Sequence, residues 1–477
     1  MNRAQKIIKN SISLFTGDIV SNLLGFVSII YLVRILGPEN FGKISFCMAF
    51  VAYFALIVNF GLPLLGTQEI SRNNEKIRYY LNNILSLRLL LASLSFALLF
   101  LTAIFLNKPY EIKYLLILYG LGLFPFALLL EWLFQGIEKM EYIGVGRILS
   151  ALTYLALVFW FIKGPSQLFL VACFQVATSF LAALFLIYIY LKNHGYPGFG
   201  FELAACKGLI KQAFPVFVAI GLTQVYQGTD IVLLGFMRGN TEVGYYNAAY
   251  KIILVFMLSV GAYSSAIYPV IASYFKVSLS SLRQLLELTN KLMVSLSLPL
   301  AVGGTIIAKP LMRLFYGTEY DNGVIALQIF FWVLVIMSLN VARGWGLLGC
   351  DKQKQYSLGT LAAVVVNISL NFILIPRIGL AGAALARLLS EVTACLFYHV
   401  ELAKIVKISL FGHIFKPLLA SLLTGSFVYW GLNNAGFNIT ALISSAAVIY
   451  TIIFYLIKGI TLQEFRLIRN MVLAHNA

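Results

Sequence analysis

Long apolar stretches alternate with short polar connections from one end of this chain to the other. Fourteen of these stretches have the length, about 20 residues, that lets a helix cross a hydrocarbon core of about 30 Å. Their apolar runs are continuous rather than alternating, which predicts helices and not barrel strands. We therefore predict an all-α polytopic membrane protein with about 14 transmembrane helices. The predicted spans are 13–36, 41–66, 82–106, 112–134, 145–163, 166–191, 211–236, 244–271, 286–308, 324–348, 357–376, 379–403, 411–432 and 438–457.

The first twelve spans resemble one six-helix unit written twice. Gly42 recurs as Gly244 at an offset of 202 residues, and Trp132 recurs as Trp345 at an offset of 213. Two such halves can rock around a shared cavity, which is the usual plan of a transporter. The predicted domains are an N-terminal six-helix lobe at 1–192, a cytoplasmic linker at 193–210, a C-terminal six-helix lobe at 211–407, and two additional helices with a cytoplasmic tail at 408–477.

The positions of lysine and arginine predict the orientation. If the N-terminus is cytoplasmic, the inside segments carry 21 Lys and Arg residues and the outside segments carry eight. This bias predicts an even number of spans with both termini in the cytoplasm. The net charge of +17 then reflects topology and contact with anionic lipids, not binding of nucleic acid.

Composition and motifs exclude several other classes. Hydrophobic residues make up 60% of the chain and charged residues 11%, which leaves too little polar surface for a soluble protein. No loop is long enough for a catalytic domain, and no phosphate-binding glycine motif is present. The five cysteines and four histidines share no ligand spacing, so we predict no catalytic residue, no metal site and no cofactor.

Cations inside the spans are the first candidates for a binding site. A charge in a bilayer is costly, so such residues usually face a watery cavity or another helix. Snorkelling to the interface or capping is the alternative, and we favour it for Arg34 and Arg343. Arg88 and Lys291 recur at an offset of 203, which favours binding. The intramembrane cations are Arg34, Arg88, Lys251, Lys291, Arg343 and Arg387. Together they predict an anionic cargo such as a pyrophosphate head group.

Polar stripes on the first and seventh spans give a second set of candidates. Asn22 lies over Gln224 at the offset of 202, and Gln227 follows on the same face. Such a stripe lines a cavity or packs against other helices. Four carboxylates within the spans are candidates for coupling to a proton or sodium gradient, with pairing to a nearby cation as the more ordinary role. They are Asp18, Glu131, Asp230 and Glu391.

Four motifs then carry a family resemblance. RILGPENFG at 34–42, VGYYNAAYKI at 243–252, PLAVGGTIIAKPLMRLFYGTEY at 299–320 and LIPRIGLAGAALA at 374–386 lie in order along both halves. The chain resembles the polysaccharide-biosynthesis branch of the multidrug/oligosaccharidyl-lipid/polysaccharide exporter superfamily. The resemblance implies alternating access by a V-shaped pair of lobes that flip undecaprenyl-pyrophosphate-linked oligosaccharide repeat units across the inner membrane, for O-antigen, capsule or exopolysaccharide. Polysaccharide polymerase and chain-length proteins are the partners it implies.

Several alternatives stay open beside the flippase. A lipid II flippase is a related branch, but this chain does not clearly carry the arginine pattern of that branch. An ion-coupled drug antiporter would need a carboxylate-rich cavity, and this chain shows the reverse. A membrane enzyme of polysaccharide assembly would need a larger external loop. A scaffold would not need duplicated polar stripes.

Overall fold

The computed structural model describes residues 3–196, 202–409, 412–434 and 438–459, which form helices and turns with no strand. This confirms the all-α prediction. The linker predicted at 193–210 is described only in part. The tail beyond residue 459, with Arg466 and Arg469 of the charge count, lies outside the described residues.

The chain groups into two compact units, Met1–Gly244 and Tyr245–Ala477. The seventh predicted span groups with the first unit, whereas the lobe boundaries drawn from the sequence place it in the second; those boundaries stay a prediction. The helices of the first unit are α1 (Arg3–Asn59), α2 (Leu62–Arg72), α3 (Ile77–Phe105), α4 (Tyr110–Leu121), α5 (Leu123–Leu128), α6 (Glu131–Gly136), α7 (Glu141–Phe161), α8 (Leu168–His194) and α9 (Leu203–Met237).

Helix α10 begins at the end of the first unit and continues as the first helix of the second. The helices that follow are joined mostly by short turns, and a π-helical segment, Val341–Trp345, follows α12. These helices are α10 (Asn240–Val277), α11 (Leu279–Tyr316), α12 (Val324–Asn340), α13 (Gly346–Gly349), α14 (Gln353–Ala403), α15 (Phe415–Asn434) and α16 (Ile439–Leu456).

Two helices are too long to cross a bilayer once. At 57 residues, a straight α1 would extend on the order of 85 Å, far beyond the hydrocarbon core. It turns at Gly37, whose φ of 71° favours glycine, and the following Pro38 has no backbone N–H to continue the first helix. The 51-residue α14 turns in the same way at Ile378 and Gly379, shortly after Pro376.

The described helices include 11 that are long and apolar enough to span a membrane. One of these runs contains α1 with α2 and another is α14, and each is long enough to cross twice. Helix α15 has 20 residues and lies outside the 11. A polytopic membrane protein is therefore confirmed, and the count of fourteen spans stays a prediction.

The repeated tryptophan motif makes the same contact in each unit. In the first unit, a Cβ on Gly136 would lie 2.9 Å from the Cβ of Ile70. In the second unit, a Cβ on Gly349 would lie 2.4 Å from Cγ2 of Ile271. Glycine is needed at both places because the isoleucine packs directly on the helix backbone. The sequence repeat therefore reflects a repeated packing contact.

The other repeated glycine pair lies at one close backbone contact. A Cβ on Gly42 would lie 1.7 Å from the carbonyl oxygen of Asn240, and one on Gly244 would lie 1.9 Å from that of Pro38. Both positions exclude every side chain unless a backbone moves. The two glycines thus allow the start of α10 to pack against the segment that follows the turn in α1.

Candidate functional site

An ion cluster in the first unit joins three of its helices. The guanidinium of Arg147 on α7 donates to both carboxylate oxygens of Glu131, with Nε to Oε1 at 2.9 Å and Nη2 to Oε2 at 2.6 Å. Its Nη1 also donates to Asp18 of α1. A forked pair of this kind fixes geometry as well as charge. Two coupling candidates, Asp18 and Glu131, thus share one cation, and their coupling role stays a prediction.

Arg88 is buried against a break between two short helices. Helix α5 ends at Leu128 and α6 begins at Glu131, so carbonyls at this break lack helical donors. The Arg88 guanidinium donates to the carbonyl oxygens of Phe126 at 2.6 Å and Leu129 at 3.1 Å. Only 2% of the residue is exposed. In this structure Arg88 therefore caps the break, and its predicted role in substrate binding is untested.

The second unit contains a related arrangement. Here the arginine lies in the irregular segment itself and not on the long helix that packs against it. Arg343, in the π-helical segment, donates to the Asn290 side chain of α11 at 2.9 Å and to the Leu339 carbonyl at 2.7 Å. It is fully buried. Asn290 lies at an offset of 202 from Arg88, the same offset as the glycine repeat. The interior equivalent of Arg88 is thus Asn290, while its neighbour Lys291 is only half-buried.

A third buried cluster lies on α14 and the end of α12. The Glu391 carboxylate accepts a hydrogen bond from the Asn340 amide at 3.0 Å, and its other oxygen lies 3.6 Å from Nη2 of Arg387. Both charged residues are 6% exposed. Arg387, a binding candidate, and Glu391, a coupling candidate, are therefore paired with each other as helix neighbours four residues apart.

The polar stripes differ from the arginines in exposure. Asn22 and Gln227 are exposed, although each lies about 13 Å along its helix from the nearer predicted span end. A polar amide at that depth has either lipid or water beside it, and water is the favourable neighbour. Gln224 and Lys251 are half-buried. Unlike the buried Arg88, Arg343 and Arg387, these candidates keep part of their side chains accessible.

Arg34 and Asp230 occupy contrasting positions. Arg34 is exposed close to the C-terminal end of its predicted span, as the snorkelling interpretation expects. Asp230 is 2% exposed, and the side chain of its neighbour Thr229 contacts the Tyr53 hydroxyl at 3.0 Å. Asp230 on α9 is therefore buried in the interior, and its role in ion coupling stays a prediction.

The second unit also contains an apolar cavity of about 790 Å³. Helices α10, α11, α12, α15 and α16 line it, with side chains such as Phe256, Leu300, Phe331, Val428 and Leu442. Its mostly apolar lining suits a hydrocarbon chain.

Reasoning from the sequence missed two residues that organise these clusters. Arg147 lies close to a predicted span end, where a cation is ordinary, and Asn290 is uncharged and adjoins the more conspicuous Lys291. The glycine offset of 202 was the signal that could have identified Asn290. Among the described residues, no three His, Cys, Asp or Glu side chains lie close enough together to hold a metal ion.

Comparison with known families decides the class. The profile of the family described as polysaccharide biosynthesis protein matches residues 7–275, more than half of the chain. The chain belongs to the polysaccharide biosynthesis protein family. The profile of the lipid II flippase MurJ family also matches this family member, over residues 144–442. The resemblance stated from the four motifs is thus confirmed.

Relatives and solved structures agree with this membership. A protein named as an O-antigen transporter in Escherichia coli is 28% identical over 77% of this family member and 90% of its own length. One named as a low-salt glycan biosynthesis flippase in Haloferax volcanii is 24% identical over 80% and 81%. These relatives and the family make the chain a membrane transporter of polysaccharide biosynthesis, not an enzyme.

The fold matches two groups of the same superfamily. The inward closed structure of the lipid II flippase MurJ aligns with a TM-score of 0.76, at 18% identity, over 94% of this chain and 99% of its own. An inward-facing multidrug transporter of the MATE family aligns with a TM-score of 0.66, at 14% identity, over 81% and 95%. The family member therefore has the exporter superfamily fold predicted from its sequence.

Proposed function

We propose that this protein flips a lipid-linked oligosaccharide repeat unit, carried on undecaprenyl pyrophosphate, from the cytoplasmic to the outer face of the inner membrane. The product would feed a surface polysaccharide such as O-antigen, capsule or exopolysaccharide. The observation that carries this proposal is the family match over residues 7–275, supported by the relative named as an O-antigen transporter, which the chain covers over 90% of its length.

The head group and the tail of this substrate call for different surroundings. Pyrophosphate and sugar need polar groups in water, and Asn22, Gln227, Lys251 and Lys291 supply accessible ones. The polyprenyl tail needs an apolar channel, and the cavity beside α15 and α16 has that lining. In this proposal the two C-terminal helices shelter part of the tail.

Transport would proceed by alternating access, with both termini in the cytoplasm. A proton or sodium gradient drives the cycle in this scheme, with Asp230 and Glu391 as the buried carboxylates that respond to the ion. Polymerase and chain-length proteins would take the flipped unit at the outer face.

A lipid II flippase is the second candidate, because the MurJ profile matches residues 144–442. Both candidates can be tested in one assay. Purified protein in proteoliposomes would receive either a polyprenyl-pyrophosphate oligosaccharide or lipid II, each with a fluorescent sugar, and an impermeant quencher would report which leaflet holds the label. Faster exchange of the oligosaccharide than of lipid II supports the proposal. Exchange of lipid II alone would replace it with the second candidate.

The same assay tests the accessible polar residues. We expect Asn22→Ala and Gln227→Ala to reduce oligosaccharide exchange while a matched change at the equally exposed Gln68, outside the predicted spans, leaves it unchanged. Normal exchange in both variants would remove these two residues from the proposed binding site.

A further inference from the structure

One backbone carbonyl on the wall of the apolar cavity has lost its partner within the helix. Pro299 lies inside α11 and has no N–H to donate to the carbonyl of Ser295, four residues earlier. A proline at such a place bends a helix, and the freed carbonyl then needs another donor. Ser295 and Pro299 both line the cavity.

Tyr450 of α16 supplies that donor. Its hydroxyl donates to the Ser295 carbonyl oxygen at 2.7 Å. The Tyr450 ring stacks on Phe454 with centroids 5.5 Å apart and planes 11° apart, so the hydroxyl is held in position. Tyr450 also lines the cavity. The turn of α11 that Pro299 interrupts is therefore joined to α16 by a hydrogen bond at the cavity wall.

A hydrocarbon chain in the cavity would have to share this wall with the tyrosine. Gly303, four residues after Pro299, has nothing within 4 Å of its ideal Cβ position, so the inner face of α11 beyond the bend is open. A chain lying there would contact α11 next to Pro299 and compete with the Tyr450 ring for the same space. Because a hydrocarbon chain has no hydrogen-bond donor, displacing the ring would leave the Ser295 carbonyl without the Tyr450 hydroxyl and would favour a rearrangement of α11 at Pro299.

We propose that Tyr450 is a positioning residue that couples occupancy of the cavity by a polyprenyl chain to the bend of α11. The hydrogen bond from Tyr450 to Ser295 stabilises one conformation of α11 while the cavity is empty. A polyprenyl chain that enters the cavity breaks this hydrogen bond and lets α11 change its bend at Pro299. This inference rests on the proposed function only in taking the transported lipid as the source of the chain.

The test measures the bend directly, without transport. Nitroxide labels at Leu279→Cys and Leu314→Cys, both exposed on α11, would lie on the order of 50 Å apart, in a protein whose exposed Cys173 is replaced by serine. Their distance distribution is recorded in nanodiscs with no addition, with undecaprenyl phosphate, or with phosphatidic acid, which offers the same phosphate on ordinary acyl chains.

We expect undecaprenyl phosphate, but not phosphatidic acid, to shift the distribution in the wild-type protein. Tyr450→Phe, which keeps the ring and removes the hydroxyl, should show the shifted distribution without lipid. A neutral hydrogen bond changes the ratio of two states by roughly tenfold, which sets the size of the change. Tyr429→Phe, an exposed tyrosine on α15, is the matched control and should resemble the wild type.

Pro299→Ala tests the cause of the coupling. Alanine restores an N–H for the Ser295 carbonyl, so adding Tyr450→Phe to this variant should change nothing further. Additive effects of the two changes would overturn the proposal. So would a Tyr450→Phe distribution that matches the wild type both with and without lipid, or a shift with phosphatidic acid equal to that with undecaprenyl phosphate. Because the experiment measures a distance and not transport, its result can be interpreted even if the protein transports a different cargo.

Discussion

Replacing Arg88 by glutamine separates the two roles that this residue has been given. The guanidinium makes two hydrogen bonds to backbone carbonyls, at 2.6 and 3.1 Å, and is 2% exposed. Glutamine can remake at most one of them. Losing a charge-assisted bond costs about 1.5–3 kcal/mol, and leaving a buried carbonyl unpaired costs about 1–3 kcal/mol. We therefore expect Arg88→Gln to destabilise the protein by on the order of 3–5 kcal/mol.

A thermal unfolding scan of the purified protein measures this loss. A chain of 477 residues has an unfolding entropy of about 1 kcal/mol per kelvin, so we expect the midpoint of Arg88→Gln to fall by roughly 3–5 °C. Arg72→Gln is the matched control, because its guanidinium is 73% exposed and pairs with Glu69 at 3.1 Å on the surface. A surface pair of this kind contributes about 0–1 kcal/mol, so its midpoint should barely move.

The predicted substrate role leads to a different result. If Arg88 binds pyrophosphate together with Lys291, Arg88→Gln should weaken flipping at normal stability, and the double Gln variant should abolish it. An unchanged midpoint in Arg88→Gln, at normal expression, would refute the reasoning from the helix break. Loss of flipping in that same variant would support a role of Arg88 in substrate binding.

Three further predictions concern packing, the ion cluster and topology. Gly244→Ala places a Cβ 1.9 Å from the Pro38 carbonyl oxygen and should cost about 3 kcal/mol in the unfolding scan, whereas Gly25→Ala, with nothing within 4 Å, should be tolerated; equal midpoints would contradict the close approach. Arg147→Lys should lower the free energy of unfolding by about 1–2 kcal/mol because lysine cannot bond both oxygens of Glu131 in the same forked geometry. Wild-type stability in this variant would show that only the positive charge matters. Reporter fusions should read cytoplasmic at three sites and external at three others, and a reversed pattern would remove the two-lobe topology. The sites are Lys76, Lys207 and Lys354 inside, and Lys108, Arg238 and Asn434 outside.

The helical class and the repeat could be predicted because both depend on patterns along the chain. The length of an apolar stretch indicates whether its helix can cross a bilayer. A glycine that contacts a neighbouring backbone occurs at the same place in each half of the sequence repeat. Gly42 and Gly244 show this directly, since each faces a carbonyl oxygen closer than 2 Å to its would-be Cβ.

The surroundings of the charges could not be predicted in the same way. A cation inside a span indicates a polar neighbour but does not identify it. The Arg88 guanidinium has carbonyls at a helix break, and Arg343 has an asparagine side chain. Which residue faces inward also depends on helix rotation, and one residue step turns a side chain by about 100°. That step separates Asn290 from Lys291.

The turn in α1 at Gly37 and Pro38 has a consequence for how the protein enters the membrane. No connecting segment separates the two helical halves there, and α14 has the same design at Ile378 and Gly379. One half cannot insert into the membrane while the other stays in water, because the turn is too short to connect a helix inside the bilayer to a helix outside it. We expect each pair to leave the translocon together as a hairpin, so that an insertion lengthening either turn would let the halves enter separately and delay biogenesis.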